Sequence, residues 1–178
     1  MKNKQVKNIK TSKSLKETKN VAQFFVENLL KEGKTLNKAL VVGLIGDLGA
    51  GKTAFTQMVA KHLGVKNKVN SPTFVIMKKY SLPKRAVRKS FLANKTKPVF
   101  AGENFYEQPA FKFLFHLDAY RLKNEHELLH LGWEEIIKDK KNLVFIEWPE
   151  NVSKAMPKNS KYIHISDQKN GEKLFKFK

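Results

Sequence analysis

The stretch Ala39-Leu40-Val41-Val42-Gly43-Leu44-Ile45, followed by Gly46-Asp47-Leu48-Gly49-Ala50-Gly51-Lys52-Thr53, decides how this chain is read. A short apolar run that stops at glycine reads as a buried strand. The eight residues after it satisfy G-x-x-x-x-G-K-[ST], the phosphate-loop pattern. Glycines let the backbone bend with its N–H groups pointing inward, close enough to meet phosphate oxygens. Thr53 to Leu63 then reads as a helix, with Phe55, Met58, Val59 and Leu63 on one side and Gly64 as its stop. Such a helix offers its positive dipole end to the phosphates. Gly46, Asp47, Leu48, Gly49, Ala50, Gly51, Lys52 and Thr53 are therefore the candidate binding residues for ATP. Lys52 is placed to reach the β- and γ-phosphates, and the Thr53 hydroxyl to hold Mg²⁺. The competing reading is a plain glycine turn between strand and helix.

A phosphate loop needs an acidic partner for its metal. Asp118 ends the run Phe113-Leu114-Phe115-His116-Leu117, and Glu147 ends Leu143-Val144-Phe145-Ile146. A carboxylate directly after a buried strand lies at the carboxyl edge of a parallel sheet, where α/β folds bind ligands. One of the two suits Mg²⁺ and the other suits the attacking water. Taken singly, each also reads as a solvated strand end.

Outward from these motifs the pattern alternates. Val21, Phe24, Phe25, Leu29 and Leu30 recur at helical spacing, with Thr18 or Asn20 as the cap and Gly33 as the stop. Phe111 to Leu117 and Leu143 to Ile146 read as strands, and Asn124 to Lys138 as one helix between them. Tyr162 to Ile165 and Leu174 to Phe177 flank Asn170-Gly171, a hairpin turn. The expected fold class is α/β: a P-loop NTPase-like three-layer sandwich. It has a mostly parallel central sheet, helices on both faces and an antiparallel C-terminal hairpin. Residues 1–17 read as a mobile basic tail, and 18–178 as a single domain carrying a basic insertion at about 82–109.

Composition bounds the function. The chain has 178 residues, enough for one domain with a real core. It has no cysteine, which excludes disulfides, thiolate metal sites and cysteine nucleophiles. No apolar run approaches a membrane span, and the lysines at the N-terminus have no apolar stretch behind them, so the expected location is cytoplasmic. The formal net charge is +19, with seven lysines in residues 1–20 and seven more in 151–178. A basic surface suits a polyanion such as tRNA. Only Arg85, Arg88 and Arg121 are arginine, and that lysine bias equally fits a proteome-wide composition. His62, His126, His130 and His164 show no metal-ligand spacing.

Four strings in order resemble one family: Gly46 to Thr53; Ser71-Pro72-Thr73-Phe74; His116-Leu117-Asp118-Ala119-Tyr120-Arg121-Leu122; and Glu147-Trp148-Pro149-Glu150. They resemble TsaE (YjeE), the ATPase component of bacterial tRNA threonylcarbamoyladenosine biosynthesis. The likeness runs from about Thr18 to about Val152. It implies a Mg²⁺-dependent ATPase, weak alone, that binds the TsaB–TsaD heterodimer and supports its turnover. TsaD transfers the threonylcarbamoyl group to adenosine 37 of tRNAs reading ANN codons. By resemblance, Lys52 and Thr53 are the phosphate and Mg²⁺ residues, Glu147 is a second metal residue, and Asp118 is required for hydrolysis. Ser71 and Thr73 belong to a switch-like loop near the γ-phosphate, and Trp148 lies beside the nucleotide.

Other readings of these residues stay open. Pro72 can simply force a turn. His116 can be a satisfied core histidine, and Tyr120 and Trp148 packing residues. Arg121 suits a salt bridge to Asp118 or Glu125 as well as charge stabilisation of a transferred phosphoryl group. Two other classes compete. A small-molecule kinase needs an arginine-rich lid that is not legible here, and an RNA-binding module needs an aromatic single-strand platform that is equally absent. The chain departs from the family in its longer N-terminal tail, its short lysine-rich C-terminal hairpin and the insertion. Prolines and scattered charges in the insertion argue against a central strand, so it is expected to form a peripheral flap, dispensable for folding and ATP binding.

Overall fold

The computed structural model describes residues 9–32, 35–83 and 111–178. Its strands are β1 (Ile9–Ser12), β2 (Leu40–Ile45), β3 (Met77–Ser81), β4 (Phe113–Asp118), β5 (Asn142–Glu147), β6 (Lys161–Asp167) and β7 (Lys173–Phe177). Its helices are α1 (Leu15–Glu32), α2 (Lys52–His62), α3 (Glu125–Leu129) and α4 (Trp133–Lys138), with a 3-10 segment at Pro149–Ala155. The strands form one seven-stranded sheet in the order β1-β7-β6-β2-β5-β4-β3. The centre, β6-β2-β5-β4, is parallel. β3, β7 and β1 pair antiparallel at the flanks. The α/β sandwich and the C-terminal hairpin expected from the sequence are both present.

Strand alternation divides the sheet between two cores. Leu40, Val42 and Leu44 of β2, Leu114 of β4, and Leu143 and Phe145 of β5 pack with α1 and α2. Val41, Phe115, Leu117, Val144 and Ile146 pack with α3, α4 and the 3-10 segment. The first core is knitted by aromatic rings. Phe25 of α1 meets Phe55 at 5.8 Å, Phe145 at 6.1 Å edge-on and Phe177 at 5.6 Å in a stack. One residue of α1 thereby ties α2, β5 and β7 together.

Three expectations are corrected. Residues 9–17 are not a mobile tail, because β1 extends the sheet edge with Ile9 opposite Lys176. α1 starts at Leu15, not at Thr18 or Asn20. The Ser14 hydroxyl caps the helix by accepting from Glu17 N–H at 3.2 Å, while Glu17 Oε2 reaches back past the cap to accept from Lys13 N–H at 2.8 Å, a variant of the capping box. Thr18 instead turns inward and shares a 2.6 Å hydrogen bond with buried Ser12. The helix expected over 124–138 is two short ones, because Gly132 takes φ 75°, a left-handed conformation that stops α3's turn and starts α4. Asn124 does cap α3, its Oδ1 accepting from His126 N–H at 3.0 Å.

The flap expected at 82–109 lies, from Lys84 onward, outside the described residues. Its two stems are close together: Ser81 is registered with Phe113, and Leu82 N–H donates to Lys112 C=O at 2.8 Å. β3 and β4 therefore make a hairpin whose ends are already joined, and closing a loop over such ends has a weak length dependence. Replacing 84–110 with a short glycine-serine linker is expected to leave cooperative thermal unfolding intact, with a midpoint within about 5 °C of the parent. Loss of the cooperative transition would show that the segment belongs to the core.

Candidate functional site

The register explains why the candidate residues converge. β5 lies between β2 and β4, with Asp118 paired beside Glu147 and Glu147 beside Leu44. His116 and Asp118 follow Leu114 at every second position, and Glu147 follows Leu143 and Phe145 in the same way, so all three polar side chains share the sheet face on which α2 packs. β2 delivers Gly46 to α2 at that same edge. Gly46 has φ 154°, and a Cβ there would stand 2.2 Å from the carbonyl oxygen of Ile165, so the loop must begin with glycine. Gly51, the residue before α2, has no side chain to cap it, leaving the first N–H groups of the helix facing the loop.

Lys52 is buried at 4% exposure. Its Nζ donates to the carbonyls of Gly46 and Asp47, the latter at 2.8 Å, and lies 3.9 Å from the centre of the Trp148 ring. Burial pushes the ammonium below the usual lysine value. The carboxylates of Glu147, Glu150, Asp118 and Asp47 pull the other way, without cancelling it. The side chain is folded back on its own loop, in a field of negative charge.

Thr53 Oγ1 donates to Glu147 Oε1 at 2.8 Å, and the same oxygen is 2.8 Å from His116 Nε2. His116 and Glu147 are buried at 0% and 3% exposure. The sequence allowed His116 a purely structural place in the core. It is in the core, and its partner there is the site carboxylate, which it orients. Among the described residues Glu147 Oε2 takes no hydrogen bond.

Asp118 is held from two sides. Its Oδ2 accepts from Thr73 Oγ1 at 2.5 Å, and its Oδ1 from Tyr120 N–H at 3.0 Å. Thr73 Oγ1 is also 2.6 Å from Ser71 Oγ. The Ser71-Pro72-Thr73-Phe74 loop, closed by Val75 N–H on Pro72 C=O at 2.8 Å, thus reaches the carboxylate through a chain of hydroxyls. Pro72 does form the turn. Arg121 lies over the Phe74 ring at 4.9 Å and makes neither of the salt bridges, to Asp118 or Glu125, that the sequence left open. Tyr120 and Trp148 meet at 5.1 Å between ring centres, and Trp148 has φ 57° and ψ 49°. Asn151, not singled out in the sequence, donates to the carbonyls of Ala119 and Tyr120 at 3.0 and 3.3 Å and pins the strand end that carries Asp118. Nothing in its local sequence marks that role.

Among the described residues no three His, Cys, Asp or Glu side chains cluster as a metal site. No described helix is long and apolar enough to cross a membrane.

A mixed sheet with a strand–phosphate loop–helix unit at its parallel carboxyl edge defines a P-loop α/β fold. The family model described as threonylcarbamoyl adenosine biosynthesis protein TsaE matches residues 12–91 and 84–175, two pieces that meet inside the segment read as an insertion. The tRNA threonylcarbamoyladenosine biosynthesis protein TsaE of Rickettsia prowazekii is 35% identical over 141 residues, covering 79% of this chain and 73% of that protein. The protein of the same name from Bacillus subtilis is 31% identical over 140 residues, covering 77% and 68%. The crystal structure of Bacillus subtilis YdiB has the same fold, with a TM-score of 0.61, 23% identity, and coverage of 95% of this chain and 82% of that one. The chain belongs to the TsaE family.

The buried His116–Glu147 contact has a measurable consequence. His116→Leu leaves a buried carboxylate with the Thr53 hydroxyl as its one remaining partner among the described residues and is expected to lower the unfolding free energy of the nucleotide-free protein by about 3 kcal/mol, while the double change with Glu147→Leu recovers most of it. Urea unfolding of the four proteins in the cycle measures this. An additive pair would show that the two side chains do not interact.

Proposed function

We propose that this protein is a Mg²⁺-dependent ATPase acting in tRNA threonylcarbamoyladenosine biosynthesis. It binds the TsaB–TsaD heterodimer and hydrolyses ATP to support threonylcarbamoylation of adenosine 37 in tRNAs reading ANN codons. The observation that carries the reading is the meeting of Thr53 Oγ1 and Glu147 Oε1 at 2.8 Å at the start of α2, beside the Lys52 ammonium. A hydroxyl and one carboxylate, with nucleotide oxygens completing the sphere, fit how proteins hold Mg²⁺. The lack of an all-protein cage among the described residues accords with that. Bound there, Mg²⁺ would neutralise charge on the β- and γ-phosphates.

The protein's own groups do the rest. The first turn of α2 and the loop amides receive the phosphate oxygens. Lys52 trades its contacts with the Gly46 and Asp47 carbonyls for the β/γ oxygens, which is favourable because those carbonyls satisfy it only in part. His116 holds Glu147 in one rotamer towards Thr53. Asp118 orients the attacking water. An ionised carboxylate has about four lone-pair sites, so the two bonds from Thr73 and Tyr120 fix its orientation and still leave it able to accept from a water. Ser71 and Thr73 put the switch-like loop within reach of the same phosphate. tRNA contact is indirect or through weak basic contacts in this reading.

Lys52→Ala is expected to weaken binding of a labelled ATP analogue at least about tenfold, since a charge-assisted contact worth about 1.5–3 kcal/mol is lost. Asp118→Asn should retain that binding yet lose most turnover in the complex with TsaB and TsaD. The test of the whole reading is a pull-down with those two proteins, with and without ATP and Mg²⁺, followed by phosphate release. Capture with no nucleotide-dependent turnover would overturn the ATPase assignment.

A further inference from the structure

Lys173 opens β7, far along the chain from every motif. Its backbone is paired on both sides, opposite Asp167 in β6 and Ser12 in β1, so its side chain starts from a fixed origin. Alternation puts it on the same face as Phe175 and Phe177, towards α2. Its Nζ donates to Asp167 Oδ1 at 2.5 Å and to the carbonyl of Ala50 at 3.1 Å, a contact spanning 123 residues. Its stem lies along Gly51, where a Cβ would stand 3.6 Å from Cε and 3.8 Å from Nζ. The preceding residue, Glu172, is bound to Lys13 at 3.1 Å.

The carbonyl that Lys173 holds sits between Gly49 and Gly51, with φ 83° and 101°. The peptide that bears this carbonyl joins Ala50 to Gly51, and Gly51 has no Cβ to resist its rotation on that side. Reorienting it would turn loop N–H groups away from the phosphates they are meant to face. Asp167 keeps the lysine in place, and the lysine keeps the carbonyl on the outer side of the loop.

We propose that Lys173, backed by Asp167, is a positioning residue for nucleotide binding: the C-terminal hairpin braces the phosphate loop through the Ala50 carbonyl. The inference rests on the ATP-binding reading above. It assigns to the C-terminal hairpin a task in ground-state binding, separate from the Asp118 and Glu147 chemistry. Lys173 and Asp167 are 31% and 60% exposed, and an ion pair that open to water adds little to global stability. A brace and a fold-stabilising bridge therefore predict different results.

The test uses the full chain in four versions, wild type, Lys173→Met, Lys173→Arg and Asp167→Asn, with Lys52→Ala as the control. A fluorescent ATP analogue with Mg²⁺ gives the Kd, thermal unfolding without nucleotide gives the midpoint, and phosphate release with TsaB and TsaD gives KM and kcat. Lys173→Met is expected to raise Kd and KM about tenfold, the loss of one charge-assisted hydrogen bond, with kcat within about twofold and the midpoint nearly unchanged. Lys173→Arg should recover most of the affinity, and Asp167→Asn should fall between. An unchanged Kd for Lys173→Met, with Lys52→Ala impaired, overturns the brace and leaves the ATP-binding reading standing. A Kd unaffected by either variant overturns the ATP-binding reading itself. A fall in kcat at constant KM would place Lys173 in the chemical step and equally overturn the brace.

Discussion

The parallel pairing of β5 between β2 and β4 is the constraint from which the site follows. It sets Glu147 beside both Leu44 and Asp118, so the metal candidate, the water-orienting candidate and the start of the phosphate loop leave the sheet at one level. A slip of one residue would send Asp118 and Glu147 to the opposite face, away from α2. The register is held by the two cores, since Leu143 and Phe145 must face α1 and α2 while Val144 and Ile146 face α3 and α4. Hydrophobic alternation thus positions the polar chemistry.

Much of this was legible because the strong signals are local. The apolar runs, the glycine loop and the carboxylates that end two strands each mark an element by its own residues, and Asp118 and Glu147 did meet at the loop. β3 was not legible: Met77-Lys78-Lys79-Tyr80-Ser81 is an edge strand with two lysines, where charge suits the exposed side of a sheet and hides the alternation. β1 was concealed for a similar reason, as Ile9-Lys10-Thr11-Ser12 becomes a strand only because β7 offers it an edge. The Ser14–Glu17 capping box was present in the sequence and outweighed by the apolar pattern that begins at Val21. His116 was ambiguous because its significance lies in a partner 31 residues away, which no spacing announces.

The hydrogen bonds around the site form two networks. One runs from Thr53 through Glu147 to His116 and is buried at its Glu147 and His116 end. The other runs from Ser71 through Thr73 to Asp118 and opens to solvent at the exposed Ser71 end. Buried networks of polar groups hold a single geometry, because each member left unpaired costs the full desolvation of its charge or dipole. The Glu147 side is the more enclosed half, although His116 Nδ1 is buried there without a hydrogen-bond partner among the described residues. The half that touches Asp118 depends on a surface loop carrying Phe74, 85% exposed, and is the half that a partner can reach.

The left-handed backbone of Trp148 carries a consequence of another kind. A residue other than glycine costs about 1–2 kcal/mol in that conformation, and here it is an indole with proline after it. Glycine would relieve that strain, yet it would remove the aromatic face on which Lys52 rests and the ring that meets Tyr120. The exchange is unfavourable on balance, because the ring also packs against the second core and against Tyr120, and truncating a packed aromatic costs more than the strain it relieves. A screen that scored only heat resistance would therefore keep this tryptophan for its packing, and would never register that the same ring is what Lys52 rests on.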